Sequence, residues 1–369
     1  MYSESDIENA VATGAITPAA AAALRQSVAE ARSTPLVDEE SFRLITGFND
    51  IFVTIAAALL LIAVGWIGFS IAGPHGDFYD QDVSRPMGHG VALGGLLVAA
   101  TAWGLAEYFT RQRRMALPSI ILLGAFVTAV GACVFGLGLP MIPDSDDGRV
   151  AAGIISIAGL VSAGAAWMHW RRFHVPITIA ALTGALVFTL YAALLWSVPT
   201  IMDQILWVIL AAGIAIFGFA MWWDMSDRLR QTRRSDVAFW LHLSAAPMIA
   251  HPVFHLLGVM DNAVTPASGM MVVALYILFG IVALAVDRRA LLVSSLAYVL
   301  YALADLFRQA GAVSLNIALT ALVIGSALLL LSAFWHNVRR LVVTTLPGEL
   351  QAKLPALDRP VTVTPRTVA

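Results

Sequence analysis

The chain has 369 residues, 59% of them hydrophobic and 12% charged, with a mean hydropathy of +0.81 and a formal net charge of −2. Soluble globular chains average about 45–50% apolar and about 25% charged residues, so this composition cannot cover a water-facing surface and excludes a soluble globular class. The basic residues are almost all arginine, set in short clusters between apolar runs, which is not the broad basic face of a nucleic-acid binder.

The first 50 residues are polar and far longer than the leading region of a signal peptide, so they are expected to form a cytoplasmic helical segment rather than a cleaved leader. Residues 3–12 and 18–32 predict two short helices: Gly14 ends the first, Thr17 caps the second, and Pro18 occupies its first position. Alanines at 19, 22 and 23 with Val28 give the second helix an apolar face, and residues 1–36 are a candidate docking surface for a cytoplasmic protein partner. A third helix, 38–46, is amphipathic through Phe42 and Ile45 and predicts an entry helix lying on the membrane surface.

Ten apolar stretches of spanning length follow, at 51–72, 89–109, 117–139, 150–168, 176–196, 203–223, 237–259, 268–286, 290–307 and 313–335. The expected fold is therefore all-α, a polytopic bundle of about ten transmembrane helices occupying residues 51–340. A cytoplasmic tail, 341–369, is punctuated by Pro347, Pro355, Pro360 and Pro365, with a short helix around Gly348–Leu354 and the rest extended. The loops alternate in kind. Arginines crowd Arg111–Arg114, Arg171–Arg172, Arg228–Arg234, Arg288–Arg289 and Arg339–Arg340, whereas the intervening loops carry acids, Pro and Gly, giving 13 basic residues against three. The positive-inside rule then places both termini in the cytoplasm, and the layout predicts a bacterial inner membrane. The second arginine of each cluster falls at Arg114, Arg172, Arg234, Arg289 and Arg340, steps of 58, 62, 55 and 51 residues. A repeated helical hairpin and the plain periodicity of any chain of hairpins both account for this.

The opening Ile7-Glu8-Asn9-Ala10-Val11-Ala12-Thr13-Gly14-Ala15-Ile16-Thr17-Pro18, followed by Ala22 and Leu24, resembles the first helix pair of the bacterial membrane proteins grouped as domain of unknown function 2157. The resemblance covers about a tenth of the chain, and beyond it the likeness is the layout of a short helix pair followed by many spans. It implies class and location, and brings no activity or catalytic residue.

Ionisable groups inside spans are functional hypotheses by default. The seventh stretch holds His242, Pro247, His251, Pro252 and His255. His251 and His255 are four residues apart and share a helix face. Each proline frees the carbonyl four residues before it, Leu243 and Met248, and such backbone is tolerated at membrane depth only inside protein or beside water. This helix is therefore expected to face the bundle interior. Asp305, with Tyr301 and Tyr298 on its stripe, and Asn316 lie at the same membrane depth as His251 and His255. Together with His242 they form a candidate polar pathway for a proton or small solute. Bracing of a kinked helix is the plainer account of the same histidines. No metal site is expected, since the lone Cys133 has no partner thiol and His251 is followed by Pro rather than the pattern of a zinc protease. No glycine loop for a nucleotide cofactor stands in context either. Glu107, Asp224, Asp227, Asp236 and Asp287 sit at helix ends beside arginines, where interfacial ion pairing is expected. The functional classes open at this point are a transporter or permease-like protein, a non-transporting scaffold or sensor, and, least supported by motifs, an intramembrane enzyme.

Overall fold

The computed structural model describes residue 7 and residues 10–24, 48–74, 84–143, 146, 148–230, 232–258, 266–309 and 316–357. The chain forms two compact units, residues 1–42 with 358–369, and residues 43–357. In the first, a helical turn ends at Thr13 and Gly14, where Gly14 takes φ +73°, and a new helix starts at Pro18 with the Thr17 hydroxyl accepting from the Ala20 amide at 3.1 Å. This is the capped pair read from the sequence. The amphipathic helix expected at 38–46 lies outside the described residues.

The second unit is all-helical, with no strand among the described residues. Ten helices match the ten apolar stretches: α1 (Phe48–Ala72), α2 (Ser84–Ala106), α3 (Ala116–Gly138), α4 (Arg149–Phe173), α5 (Ile177–Ser197), α6 (Ile205–Ser226), α7 (Arg233–Leu256), α8 (Pro266–Val286), α9 (Ala290–Gln309) and α10 (Asn316–Ala333). Two short helices follow, α11 (Trp335–Thr345) and α12 (Gly348–Gln351). Among the described residues eight helices, α1 to α8, are long and apolar enough to cross a membrane, or nine if the bent pair α10 and α11 counts as one span. The two departures from ten have local causes. The apolar part of α9 is short, Ala290–Asp305, and ends on a carboxylate. The last stretch turns by 77° at Phe334, because α11 is amphipathic: Trp335, Arg339 and Val343, four residues apart, are its buried face.

Sequence neighbours pack as antiparallel pairs, α1 on α2, α2 on α3, α3 on α4, α4 on α5, α6 on α7 and α8 on α9. Contacts of α7 with α5 and α9 join these pairs into one bundle. Half of α7 is buried, more than any other spanning helix, as its prolines and histidines predict. Close approach of neighbouring helices depends on glycine, as two positions illustrate. A Cβ on Gly68 of α1 would lie 2.7 Å from the Cα of Gly94 on α2, and a Cβ on Gly213 of α6 would lie 2.9 Å from the Met248 carbonyl carbon of α7. Met248 is the residue whose carbonyl Pro252 leaves without its helical donor. Gly213 therefore lets α6 approach the α7 backbone at that carbonyl.

The connections follow a rule of their own. α2 ends in a π-helical turn, Glu107–Gln112. The four described non-glycine residues with left-handed backbone, Arg114, His174, Arg230 and Asp287, lie one in each arginine-rich connection, spaced 60, 56 and 57 residues apart. At an opposite connection Asp146 caps α4, its carboxylate accepting from the Val150 and Ala151 amides at 3.1 Å each. Lost hydration raises the pKa of this carboxyl, but the backbone N–H groups at the helix start lower it by more, so it lies below the usual carboxylate value.

Candidate functional site

The arginine-rich connections converge. On the α2–α5 side, Arg172 donates two hydrogen bonds to the Glu107 carboxylate at 2.6 and 2.9 Å, and Arg111 adds a third at 3.3 Å. These groups are solvent-accessible and fix two hairpin ends together. On the α6–α9 side the pairing is buried. Asp224, near the end of α6, has a side chain 0% exposed. It meets Nε2 of His242 (α7) at 2.9 Å and accepts from Nη2 of Arg288 (the α8–α9 connection) at 2.8 Å. Arg288 also donates to the Ser235 carbonyl at 3.0 Å and lies over the Phe239 ring. Removing these charges from water costs several kcal/mol each, which only paired geometry of this kind offsets.

A second buried set lies beside it. Asp287 accepts from Arg230 at 3.0 Å and from the Trp335 indole N–H at 2.8 Å, with Arg339 at 3.6 Å. Arg230 donates as well to the Val286 and Asp287 carbonyls. Left-handed backbone at Arg230 and Asp287 puts the two groups face to face.

The other half of α7 carries the histidines singled out from the sequence. Nδ1 of His251 is 2.6 Å from the Tyr298 hydroxyl on α9, and the His251 and His255 rings are 5.9 Å apart. Tyr298 stacks on Phe254 at 4.7 Å. His251 is exposed and His255 half-buried. Asp305, two turns beyond Tyr298 on α9, is buried and paired with Arg308. Tyr301 is 43% exposed. The Asn316 side chain lies outside the described residues. His242 does not join this group: nine residues of helix, about 14 Å, separate it from His251, and its partners are Asp224 and Arg288. The candidate pathway thus divides into two polar sites on one helix. Among the described residues no cluster of three or more His, Cys, Asp or Glu has the donor set of a metal centre.

One buried histidine escaped the sequence reading. His169 on α4 is 0% exposed and walled by Trp103, Phe126 and Phe173, with Nδ1 at 3.4 Å from the Thr178 hydroxyl and no partner for Nε2. Asp224 and Asp287 were singled out only as interfacial acids. Their burial, and the pairing with Arg288, Arg230, Trp335 and Arg339, depends on helices far apart in the chain. The one legible signal was the four-residue spacing of Trp335, Arg339 and Val343.

No protein-family model matches the chain, and no curated protein or solved structure matches it. Its helices are those of an integral membrane protein, and any function has to be argued from the two sites on α7.

Proposed function

We propose that this multi-pass protein conducts protons, alone or coupled to a small solute, along α7. The observation that carries the reading is the placement of imidazoles in both halves of the most enclosed spanning helix. His242 meets Asp224 and Arg288 in one half, and His251, against Tyr298, lies beside His255 in the other. Histidine is the side chain suited to taking and releasing a proton near neutral pH. Polar groups kept inside a bundle usually mark an ion or proton route. In this reading Asp305 and Tyr301, further along α9 from Tyr298, would continue the His251 end of the route, and the Tyr276 hydroxyl, buried without a partner beside the same α7–α9 core, is a further way-station. The arginine-rich ends face the cytoplasm of a bacterial inner membrane in this reading, which the alternation of basic loops supports.

The test is proton flux into liposomes holding the purified protein and a pH-sensitive dye, driven by an imposed potential. The expected result is uptake well above empty liposomes, reduced about tenfold or more in His251→Ala and in His242→Ala, as loss of a positioned proton carrier entails. Uptake equal to that of empty liposomes, with every solute gradient tried, removes the reading and returns the histidines to bracing a proline-broken helix.

A further inference from the structure

Residues 351–356 of the C-terminal segment expected to trail from the bundle are held against it. Arg228 donates to the Leu354 carbonyl at 2.8 Å and to the Gln351 carbonyl at 3.2 Å. Arg339 donates to the Pro355 carbonyl at 2.7 Å and to the Ala356 carbonyl at 3.3 Å. The Ala356 amide donates in turn to the Arg228 carbonyl at 3.2 Å. Two guanidinium groups thus grip four main-chain carbonyls within residues 351–356, contacts that read backbone and not side chains. Between them Leu354, 7% exposed, seats in an apolar socket of Val286 and Val343, with Phe217, Met221 and Leu357 around it.

Val286 borders two spaces. One side of it meets Leu354, and the other lines a cavity of about 10 Å3 together with His242, Arg288, Phe217, Ala283 and Leu291. A cavity of that size is at the lower limit for one water molecule. The socket under the strap and the space beside the buried imidazole therefore share two bordering side chains, Val286 and Phe217. Arg339 also approaches Asp287, the residue next to Arg288, so the grip on the strap and the charge pairing around His242 belong to one connected set.

We infer that residues 348–357 form a strap that closes the arginine-rich end of the α6–α9 bundle over His242, and that its release admits water to the imidazole. The role given to the strap rests on the proton-conduction reading; its position as a cover does not. A strap held by a few charge-assisted hydrogen bonds and one leucine is the kind of element that opens locally while the core stays folded.

The test uses the full-length chain, in which Cys133 is the only native thiol. In a Cys133→Ala, Val286→Cys background, a membrane-impermeant maleimide should label slowly. Adding Arg228→Gln with Arg339→Gln should raise the labelling rate about tenfold or more, a factor equivalent to about 1.4 kcal/mol. Leu354→Asp, which leaves both arginines in place, should do the same if it unseats the strap, with helical content unchanged by circular dichroism. Fast labelling in the background chain, or an unaltered rate in both variants, overturns the strap. Proton flux in the same liposomes separates the two ideas. Labelling that rises without any flux keeps the strap and removes conduction, whereas flux that is insensitive to variants whose labelling is also unchanged keeps conduction and removes the strap.

Discussion

At the scale of single residues, Asp224 is a carboxylate whose burial depends on its pairing. Its carboxylate is enclosed between an imidazole and a guanidinium with no water-facing side. Asp224→Asn keeps the shape but removes the carboxylate charge that His242 and Arg288 share, and breaking such a buried pair costs about 3–5 kcal/mol. We expect a correspondingly large drop in the thermal stability of the detergent-purified protein, with Asp224→Asn plus Arg288→Met recovering much of it. A single variant that melts like the parent would mean that Arg288 finds another partner. The sequence marked His242 as a polar residue in a span, and Asp224 as an acid beside arginines, but not their meeting. Eighteen residues and a turn separate them, and only the packing of α6 on α7 brings them to 2.9 Å. His251 and Tyr298 illustrate the same limit, since helix periodicity gives the face on which each lies and says nothing of which helix is opposite.

At the scale of elements, far more was legible, because hydropathy over twenty residues is a bulk property that survives ignorance of packing. Each apolar stretch became a helix, with ends displaced by a few residues. The last one, 313–335, ends close to where α10 does, but the amphipathic α11 that follows reads from the sequence only as the start of the tail, because its mixed polar and apolar faces average out in a hydropathy window. The two prolines of α7 announced an interior helix, and it is the most enclosed of the spans. What they could not announce is the compensating glycine on its neighbour. Gly213→Ala places a methyl group against the Met248 carbonyl carbon at 2.9 Å, where neither backbone can yield without parting α6 from α7. Overpacking of this kind costs about 1–3 kcal/mol. The expected outcome is a lower melting temperature for Gly213→Ala, set against little change for Gly218→Ala on the same helix, whose Cβ would meet nothing within 4 Å. Equal melting of the two would dissociate the close approach from stability.

At the scale of the whole molecule, the arginine-rich connections meet at one end through Glu107 and Arg172 in one half and Arg230, Asp287 and Arg339 in the other. The proposed orientation makes that end cytoplasmic. Reporter fusions after Arg113, Arg172 and Arg230 should then report cytoplasm, and fusions after Gly76, Asp146 and Asn262 the opposite side. A cytoplasmic signal at Asp146 would reverse the assignment for α3 and α4 and with it the direction in which the strap faces.

The left-handed residues at Arg114, His174, Arg230 and Asp287 have a consequence for how such a chain can change length. Each costs about 1–2 kcal/mol of backbone strain for a residue with a Cβ, and each closes one arginine-rich turn at an interval of 56 to 60 residues. The unit between two such joints is a pair of helices. Losing or gaining one pair leaves every later joint at the same end of the bundle, whereas losing a single helix between α6 and α9 would put Asp224 and Arg288 at opposite ends. Growth or pruning of this architecture is therefore confined to even steps, and the joint spacing records the step.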